Sequence, residues 1–454
     1  MSVQSEIDRI ITAVGNAYSK VSEKGGTVPA SQTVANLATA IDSIPAGGGG
    51  GGGGGSGEPL DPVEVYNTTR PSDWLSMPTP ADNELYLLFH IPDGFSSLLA
   101  FTVTCTGNYT VALGSVSDGA FVQMRSTTVA SGSKYETELF ANGYGNLTSD
   151  GHKQVMVKVS GTDILTWAPS KHSKKTSPSN FAGWNIVEIS CNLPSGTSVA
   201  CGSSSGNISL KKLRYFAWYG KNAVTNMSSM FINCYSLTAI PQMDTSAVTD
   251  MSSMFDFCYS LTAIPQMDTS AVTNMLQMFS NCYSLTAIPQ MDTSAATNMA
   301  NMFYSCSSLT AIPQMDTSAV TNMSSMFRVC NSLTAVPQMD TSAVTDMSSM
   351  FNSCYSLTAI PQIDTSAVTD MSSMFYSCYS LTAIAFNGSV TGWAGYAISL
   401  SDCSLSHAAI VAFFNSLPTI TSAKAITLTG NPGVSELTAA EKAIATGKGW
   451  TLTL

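Results

Sequence analysis

The sequence predicts a multidomain protein in which a helical segment, an all-β segment and a repeat solenoid follow one another. Nine consecutive glycines at 47–55 separate the first 45 residues from the rest of the 454-residue chain. Short apolar runs bounded by turn signals, a pattern typical of strands, fill 59–205. From Val224 a 24-residue unit recurs seven times, and such a fixed period indicates a solenoid.

The first segment, 1–45, is predicted to be a helical hairpin. A second apolar helix follows Gly25-Gly26 and ends before Pro45. So short a hairpin buries little surface alone. It is therefore either a small intramolecular bundle or a docking and oligomerising module, which we expect to form a homotrimer. In the first helix the apolar residues have the alternating spacing of a coiled-coil seam, and they are Ile7, Ile11, Val14, Tyr18 and Val21.

Residues 46–58 are predicted to be a polyglycine linker, and residues 59–205 a β-sandwich. The glycines have no side chains to pack, although in a bundled oligomer they could form an extended helix. In 59–205, strand-like runs at 84–90, 100–105 and 154–159 alternate with turn residues. The tryptophans of this region are expected to pack in the core rather than to stack on a ligand, and they are Trp74, Trp167 and Trp184.

The repeats, assigned to 206–388, share the motif Met-x-x-Met-Phe-x-x-Cys, whose first methionine recurs every 24 residues from Met227 to Met371. One coil cannot bury its apolar face alone, so we expect Met, Phe, Cys, Leu and Ile to point inward as ladders. Free cysteine behaves as a small apolar side chain. The cysteine ladder is therefore expected to be core packing, with metal binding or redox chemistry as the alternative.

An Asp-Thr-Ser tripeptide also recurs once per coil, from Asp244 to Asp364. Each aspartate can accept hydrogen bonds from backbone N–H groups of its own turn. The alternative is a calcium site, but a calcium ion needs several oxygen ligands and each coil offers one carboxylate. The pattern favours the turn.

The repeats differ from one another mainly at the two positions before each cysteine and at the one after it. Because the packing positions are nearly unchanged, we expect these variable positions to be exposed. Tyrosine supplies contact area at low entropic cost, which suits contact with a sugar or a protein; the alternative is an exposed strip without a ligand. The candidate ligand-contact strip consists of Tyr235, Tyr259, Tyr283, Tyr304, Arg328, Tyr355, Tyr376 and Tyr379.

Residues 389–454 are predicted to form an α/β cap over the open end of the solenoid. The segments Ile398-x-Leu400-x-x-Cys403 and Ile426-x-Leu428-x-x-Asn431 have the spacing of a strand followed by a turn. Amphipathic segments at 408–417 and 435–446 predict helices between the strands, and Leu452 and Leu454 a last strand.

The unit Asn-Met-Ser-Ser-Met-Phe-x-x-Cys-Tyr-Ser-Leu-Thr-Ala-Ile-Pro-Gln-Met-Asp-Thr-Ser-Ala-Val-Thr resembles the BspA-like leucine-rich repeat family. The resemblance implies a leucine-rich-repeat-like solenoid. Family members occur as surface adhesins and in prophages of gut Firmicutes. The segments at 5–29 and 70–78 resemble modules of phage structural proteins, which implies a tail-fibre or head-fibre protein. The family brings no catalytic residues.

Composition excludes several functions. The net charge of -11 argues against nucleic-acid binding, which needs lysine and arginine to neutralise phosphates. No apolar run is long enough to span a membrane, and the N-terminal residues show no secretory signal. The histidines form no metal motif and no nucleophile motif appears. We therefore expect no enzyme and no cofactor. The missing secretory signal predicts synthesis in a host cytoplasm, and the resemblance to phage structural proteins implies a place on the virion surface.

The leading hypothesis is a virion surface protein of the tail-fibre or receptor-binding kind. Residues 1–45 would bind other virion proteins, and the solenoid would attach to a host surface glycan or protein. One alternative is a capsid decoration or head fibre protein. The other is a bacterial surface adhesin.

Overall fold

In the computed structural model the chain forms two compact units, Met1–Leu60 and Asp61–Leu454. The structure describes residues 74–92, 96–117, 120–140, 148, 152–170, 186–201, 210–384, 386–387 and 397–454. The predicted hairpin, the polyglycine linker and Trp184 lie outside the described residues. The same holds for the seam residues Ile7, Ile11, Val14, Tyr18 and Val21.

Eight strands of the first described part form one sheet in the order β3-β2-β5-β1-β6-β8, with β4 also paired to β2 and β7 to β5. Pairs β5–β7 and β6–β8 are parallel and the other pairs are antiparallel. The strands are β1 (Glu84–Pro92), β2 (Ser96–Ser117), β3 (Ala120–Ala130), β4 (Lys134–Phe140), β5 (His152–Pro169), β6 (Ile186–Asn192), β7 (Ser198–Val199) and β8 (Tyr215–Trp218).

Both faces of the central strand β1 are buried. Leu87 lies between Val157 of β5 and Ile189 of β6 and belongs to the main core. The next residue, Leu88, points to the opposite face and packs in a second cluster with Trp74. Strand side chains alternate between faces, so the nearly continuous apolar run of β1 reflects burial on both sides.

The predicted β-sandwich is not shown as two separate sheets, because hydrogen bonds join all eight described strands into one. What the structure shows is an all-β region. Trp74 and Trp167 are buried, in agreement with a packing role. The sheet also continues to Trp218, past the boundary predicted at residue 205.

Each coil of the solenoid is hydrogen-bonded to both neighbours. In the Met-x-x-Met-Phe-x-x-Cys segment, alternate N–H groups donate to the following coil; Phe231, for example, donates to the Met254 carbonyl. The residues between them donate three positions back in their own coil. On the other side of the coil Thr249 donates to the preceding coil, at Thr225. The coils therefore stack in register through turns, with one short parallel bridge per step.

Two residues in every coil have left-handed backbone angles, four positions apart. Ser229 and Asn233 hold φ values of 58° and 62° in the first coil, and the same two positions repeat in the other six. Residues other than glycine, asparagine and aspartate rarely adopt this conformation. Here the hydrogen bonds between coils require it at each repeat.

The repeated apolar residues point inward, as predicted. The phenylalanine rings from Phe231 to Phe375 stack face to face with centroids 5.5 to 5.8 Å apart. Methionine, cysteine and leucine ladders run beside them in one continuous buried cluster. The repetition in sequence is thus a repetition of core packing.

The sheet closes the first end of the solenoid. Phe216 of β8 meets Phe231 of the first coil edge to face, with ring centroids 5.0 Å apart. The Cys201 N–H donates to the Met230 carbonyl. The sheet and the solenoid therefore share one hydrophobic core.

The α/β cap closes the other end. Its parallel strands β11 (Ile398–Ser399), β12 (Lys424–Thr427) and β13 (Trp450–Thr453) confirm the three predicted strands. The predicted helices are confirmed as α1 (His407–Ser416) and, in the second segment, a 3-10 turn (Pro432–Glu436) followed by α2 (Ala439–Thr446). Two shorter strands, β9 (Ile363–Asp364) and β10 (Phe386–Asn387), pair in parallel before the cap.

Candidate functional site

The candidate site lies on the turn that follows each buried cysteine. We call the seven positions directly after these cysteines the tyrosine face: Tyr235, Tyr259, Tyr283, Ser307, Asn331, Tyr355 and Tyr379. From Cys258 to Cys378 each cysteine thiol donates to a phenylalanine carbonyl in the coil before it, as Cys282 does to Phe255 at 3.2 Å. This contact holds the turn at the same place in each of these coils, so the residues that follow form a regular row.

The tyrosines of this face form two stacks. Tyr235, Tyr259 and Tyr283 stack with ring centroids 4.7 and 5.0 Å apart. Tyr355 and Tyr379 stack at 5.0 Å. The Lys211 ammonium lies 5.0 Å above the first ring, so it covers the outer face of that stack.

Between the two stacks the ladder is interrupted at Ser307 and Asn331. Among the described residues, no aromatic ring stacks on the sides of Tyr283 and Tyr355 that face this interruption. Both tyrosines are 40 to 42% exposed, whereas Tyr259, covered on both sides, is only partly exposed. We call the interruption, with its two flanking tyrosines, the notch.

The rest of the candidate strip lies two positions before the cysteines. The guanidinium of Arg328 lies 5.7 Å from the centroid of the Tyr304 ring in the preceding coil. These two side chains are partly exposed, and Tyr376 is exposed. Tyr304 and Arg328 belong to the coils that contribute Ser307 and Asn331, so they lie beside the notch.

The two variable positions before each cysteine were expected to be exposed, which is wrong for five of the seven coils, because at least one of the two is buried there, Asn352 and Ser377 of the last two coils included. Ile232, Asn233, Asp256, Ser280 and Asn281 are all buried. They lie against a neighbouring coil, to which the backbone of the second position is hydrogen-bonded, as the Asn233 N–H is to the Asp256 carbonyl. Their variation therefore reflects local packing as well as any contact with a ligand.

Three of these buried residues form a polar cluster. The Asn281 amide donates to Asp256 Oδ1 at 3.2 Å and to Ser280 Oγ at 2.9 Å. Burial raises the pKa of the Asp256 carboxyl, although these hydrogen bonds oppose the shift. The Tyr283 hydroxyl donates to the Asn281 side-chain oxygen at 3.4 Å. The polar cluster thereby helps to orient the last ring of the first tyrosine stack.

The Asp-Thr-Ser row forms turns. Asp268 Oδ1 accepts hydrogen bonds from the N–H and the hydroxyl of Ser270, at 3.1 and 2.7 Å. These bonds lower the pKa of the carboxyl, and the same pair recurs in the neighbouring coils. Within the described ranges no cluster of three or more His, Cys, Asp or Glu is arranged to hold a metal ion. The geometry agrees with the turn that the sequence favoured.

All eleven cysteines are buried with free thiols. Burial raises the pKa of the repeat cysteines from Cys234 to Cys354, to about 12 at Cys354. The ladder also extends beyond the seven repeats, because Cys234 donates to the Cys201 carbonyl and Cys403 to Phe375 in the same manner. The thiols therefore act as core groups that bond the backbone between coils.

Two histidines that are distant in sequence become neighbours in the sheet. Antiparallel pairing of β1 with β5 places the rings of His90 and His152 5.8 Å apart. His90 also contacts the Gln154 amide at 2.7 Å. No local sequence motif could reveal this pair, because it depends on strand register.

Within the described part of the chain, no helix is long and apolar enough to cross a membrane.

The ligand-contact strip predicted from the sequence did not include Ser307 and Asn331. The strip predicted from the sequence contained only large side chains, whereas the geometry draws attention to the two coils that lack one. The signal was present as a break in the periodic tyrosine. Its meaning depended on the stacking of the rings on either side.

Comparison with known proteins identifies the repeat region. The family described as "Mycoplasma protein of unknown function, DUF285" matches residues 214–312 and 308–408, less than half of the chain. No curated protein matches the sequence. Among solved structures, the chain of a "TLR13-ssRNA13 complex" crystal structure matches at 14% identity, over 53% of this chain and 33% of that one, with a TM-score of 0.24. That likeness spans a third of the other chain and carries no functional argument. The stacked coils themselves show a repeat solenoid that ends in a small α/β cap.

Proposed function

We propose that this protein is a non-enzymatic virion surface protein of the tail-fibre or receptor-binding kind, which attaches to a host surface glycan through its tyrosine face. The observation that carries the proposal is the pair of tyrosine stacks held on a rigid row. Preordered aromatic side chains lose little entropy on binding. The low content of charged residues, 11%, leaves a surface of hydroxyls and amides, which matches the chemistry of sugars.

Multivalency supports the same proposal. Residues 1–45 would bind other virion proteins and form a homotrimer, and the glycine tract would give the solenoids reach. Single sugar sites bind weakly, but several linked sites gain affinity through effective concentration. Light scattering on the full-length chain tests this point, because a monomer contradicts it.

We also propose that the all-β region at 59–205 is a β-sandwich. Strands β2 and β5 are long and each takes part in two branches, one with β4 and β7 and one with β1 and β3. Side chains of both branches, such as Trp167 and Val157, belong to one core cluster. Two branches folded over one core would have the packing of a sandwich.

A glycan array tests the binding function. The full-length protein is compared with a variant in which all five tyrosines of the tyrosine face are changed to serine, the residue that the fourth coil already has there. We expect the wild type to bind at least one bacterial surface polysaccharide and the variant to lose at least tenfold in affinity. The control is a Thr286→Ser variant, which changes an exposed residue of the third coil outside the tyrosine face. Equal binding by the five-tyrosine variant contradicts the proposal.

Immunogold electron microscopy with antibody to 206–454 tests the location. Label at the tail tip of virions supports receptor binding. Label spread over the head indicates a decoration or head fibre protein. Absence of label from every particle contradicts a virion role and favours a bacterial surface adhesin.

A further inference from the structure

The notch has the geometry of two missing rings. Tyrosine rings of adjacent coils stack 4.7 to 5.0 Å apart. Tyr283 and Tyr355 are three coil steps apart, roughly 15 Å at the spacing of neighbouring strands. Ser307 and Asn331 occupy the two positions between them with small side chains. One face of each flanking ring is therefore open toward a space in which flat rings can stack.

Two polar groups at the notch lack partners. In the part of the chain that the structure describes, Asn331 Oδ1 and Arg328 Nε are enclosed and make no hydrogen bond. An enclosed polar atom without a hydrogen-bond partner is energetically unfavourable. Both side chains are partly exposed, so either can turn toward a ligand without losing a hydrogen bond at these atoms.

Arg328 supplies the positive charge at this place. Among the described residues no carboxylate lies within ion-pair distance of its guanidinium, which contacts the Tyr304 ring instead. Arg328 and Asn331 flank the buried Cys330 within one tight turn. In the third coil the equivalent positions, Ser280 and Tyr283, each bond to Asn281, which lies between them in the sequence. Arg328 thus belongs to the coil that supplies Asn331, and its guanidinium packs on the Tyr304 ring of the coil that supplies Ser307.

From this arrangement we infer that the notch binds a pyranose glycan that carries a carboxylate. The sugar ring takes the place of the missing tyrosines and stacks its C–H face on Tyr283 or Tyr355. Asn331 and Ser307 bond its hydroxyls, and Arg328 pairs with the carboxylate, for which a guanidinium is well shaped. The net charge of -11 disfavours long polyanions, which favours a glycan in which neutral sugars separate the acidic ones. This inference rests on the proposed glycan-binding function and specifies its site.

Titration calorimetry on the full-length protein tests the inference with two probes. One is a hyaluronan tetrasaccharide, in which acidic and neutral pyranoses alternate; the other is tetra-N-acetylchitotetraose, which has no carboxylate. We expect the acidic probe to bind at least tenfold more tightly. We expect Arg328→Gln to remove this preference.

The decisive variant fills the notch. Ser307→Tyr with Asn331→Tyr completes the ladder with the residue that five coils already carry, so the fold should be retained, as thermal unfolding can verify. We expect this variant to bind the hyaluronan tetrasaccharide at least tenfold more weakly. Thr286→Ser, an exposed position on the third coil that does not belong to the tyrosine face, is the control and should bind like the wild type. Unchanged binding by the filled variant, or equal binding of the two probes, overturns the inference.

The glycan array distinguishes failure of the proposed glycan-binding function from failure of the notch as its site. If the wild type binds no glycan on the array, the proposed glycan-binding function fails and the notch fails with it. If the wild type binds array glycans, and the filled variant binds them equally well, only the notch is overturned.

Discussion

At the scale of single residues, the left-handed positions are the least ordinary feature of the repeats. Asn233 and Asn281 suit the position before the cysteine, because asparagine tolerates this conformation. Val329 holds the same position with φ 64°. A β-branched side chain is strained there, and the neighbouring coils enforce the angle through the hydrogen bond from its N–H to the Asn352 carbonyl.

Val329→Asn is therefore expected to stabilise the protein by about 1 kcal/mol, since a residue with an unfavourable left-handed angle is replaced by one that accepts it. Urea unfolding monitored by circular dichroism measures the change. The reverse substitution at the equivalent position, Asn281→Val, should destabilise the protein. A lower urea midpoint for Val329→Asn contradicts the interpretation.

Asp256 makes stability depend on pH in a defined direction. Burial raises the pKa of its carboxyl above the ordinary 3.8 in the folded state. The folded protein then binds more protons than the unfolded one between the two pKa values, so this residue's contribution to stability falls as pH rises through that window. Asp256→Asn is expected to be more stable at pH 7 and to lose this dependence.

Asp268→Asn is the matched control, because Asp268 makes stability depend on pH in the opposite direction. Hydrogen bonds from Ser270 lower the pKa of Asp268. Its contribution is therefore present above the unfolded pKa and is lost as pH falls through the folded value. Unfolding midpoints measured from pH 3 to pH 7 distinguish the two cases, and parallel pH profiles for both variants refute the assignment.

At the scale of elements, the ladders decide how the coils hold together. Phenylalanine rings stack and methionines fill the remaining space, while each cysteine links its turn to the backbone of the preceding coil. Buried threonines add a similar bond in the other direction, as Thr269 Oγ1 donates to the Asp292 carbonyl at 2.7 Å. Each ladder thus joins the interior of one coil to the next.

The thiols should be inert while the protein is folded. The thiolate is the reactive form, and burial both raises the pKa of Cys306 and excludes reagents. We expect iodoacetamide to leave the seven repeat cysteines unlabelled in the native protein and to label all of them in denaturant. Peptide mass spectrometry reads out each site. Rapid native labelling of Cys306, in the middle of the ladder, would show that the core opens.

At the scale of the whole molecule, each repeat contacts mainly its neighbours, while the sheet and the α/β cap cover the two ends. Such an assembly is stabilised by the sum of coils and interfaces between coils. The number of coils can then change without a change of fold, provided that the register is kept.

Deletion of residues 251–274 removes one full coil and joins Asp250 to Met275, which preserves the repeat. We expect a folded protein with an unchanged circular dichroism shape and a lower urea midpoint, because one interface is lost. Deletion of 251–262 is the control. It removes half a coil, places polar residues at inward positions, and should prevent cooperative unfolding. Equal behaviour of the two deletions contradicts the solenoid register.

The sequence by itself determined the period, the inward ladders and the strands of the cap. These depend on near-identical units, so every coil must place the same residue at the same point of a shared core. It did not determine the burial of Ile232 and Asp256. That burial depends on hydrogen bonds and packing against a neighbouring coil, which no periodicity reveals.

Only the tertiary structure decided how the ends are closed and where the tyrosine ladder is open. Phe216 meets Phe231 because strand pairing brings β8 to the edge of the sheet, a relation between segments that carry no common motif. Ser307 and Asn331 read in sequence as two irregular repeats. They define a notch only because coils at a fixed spacing stack Tyr283 and Tyr355 on either side.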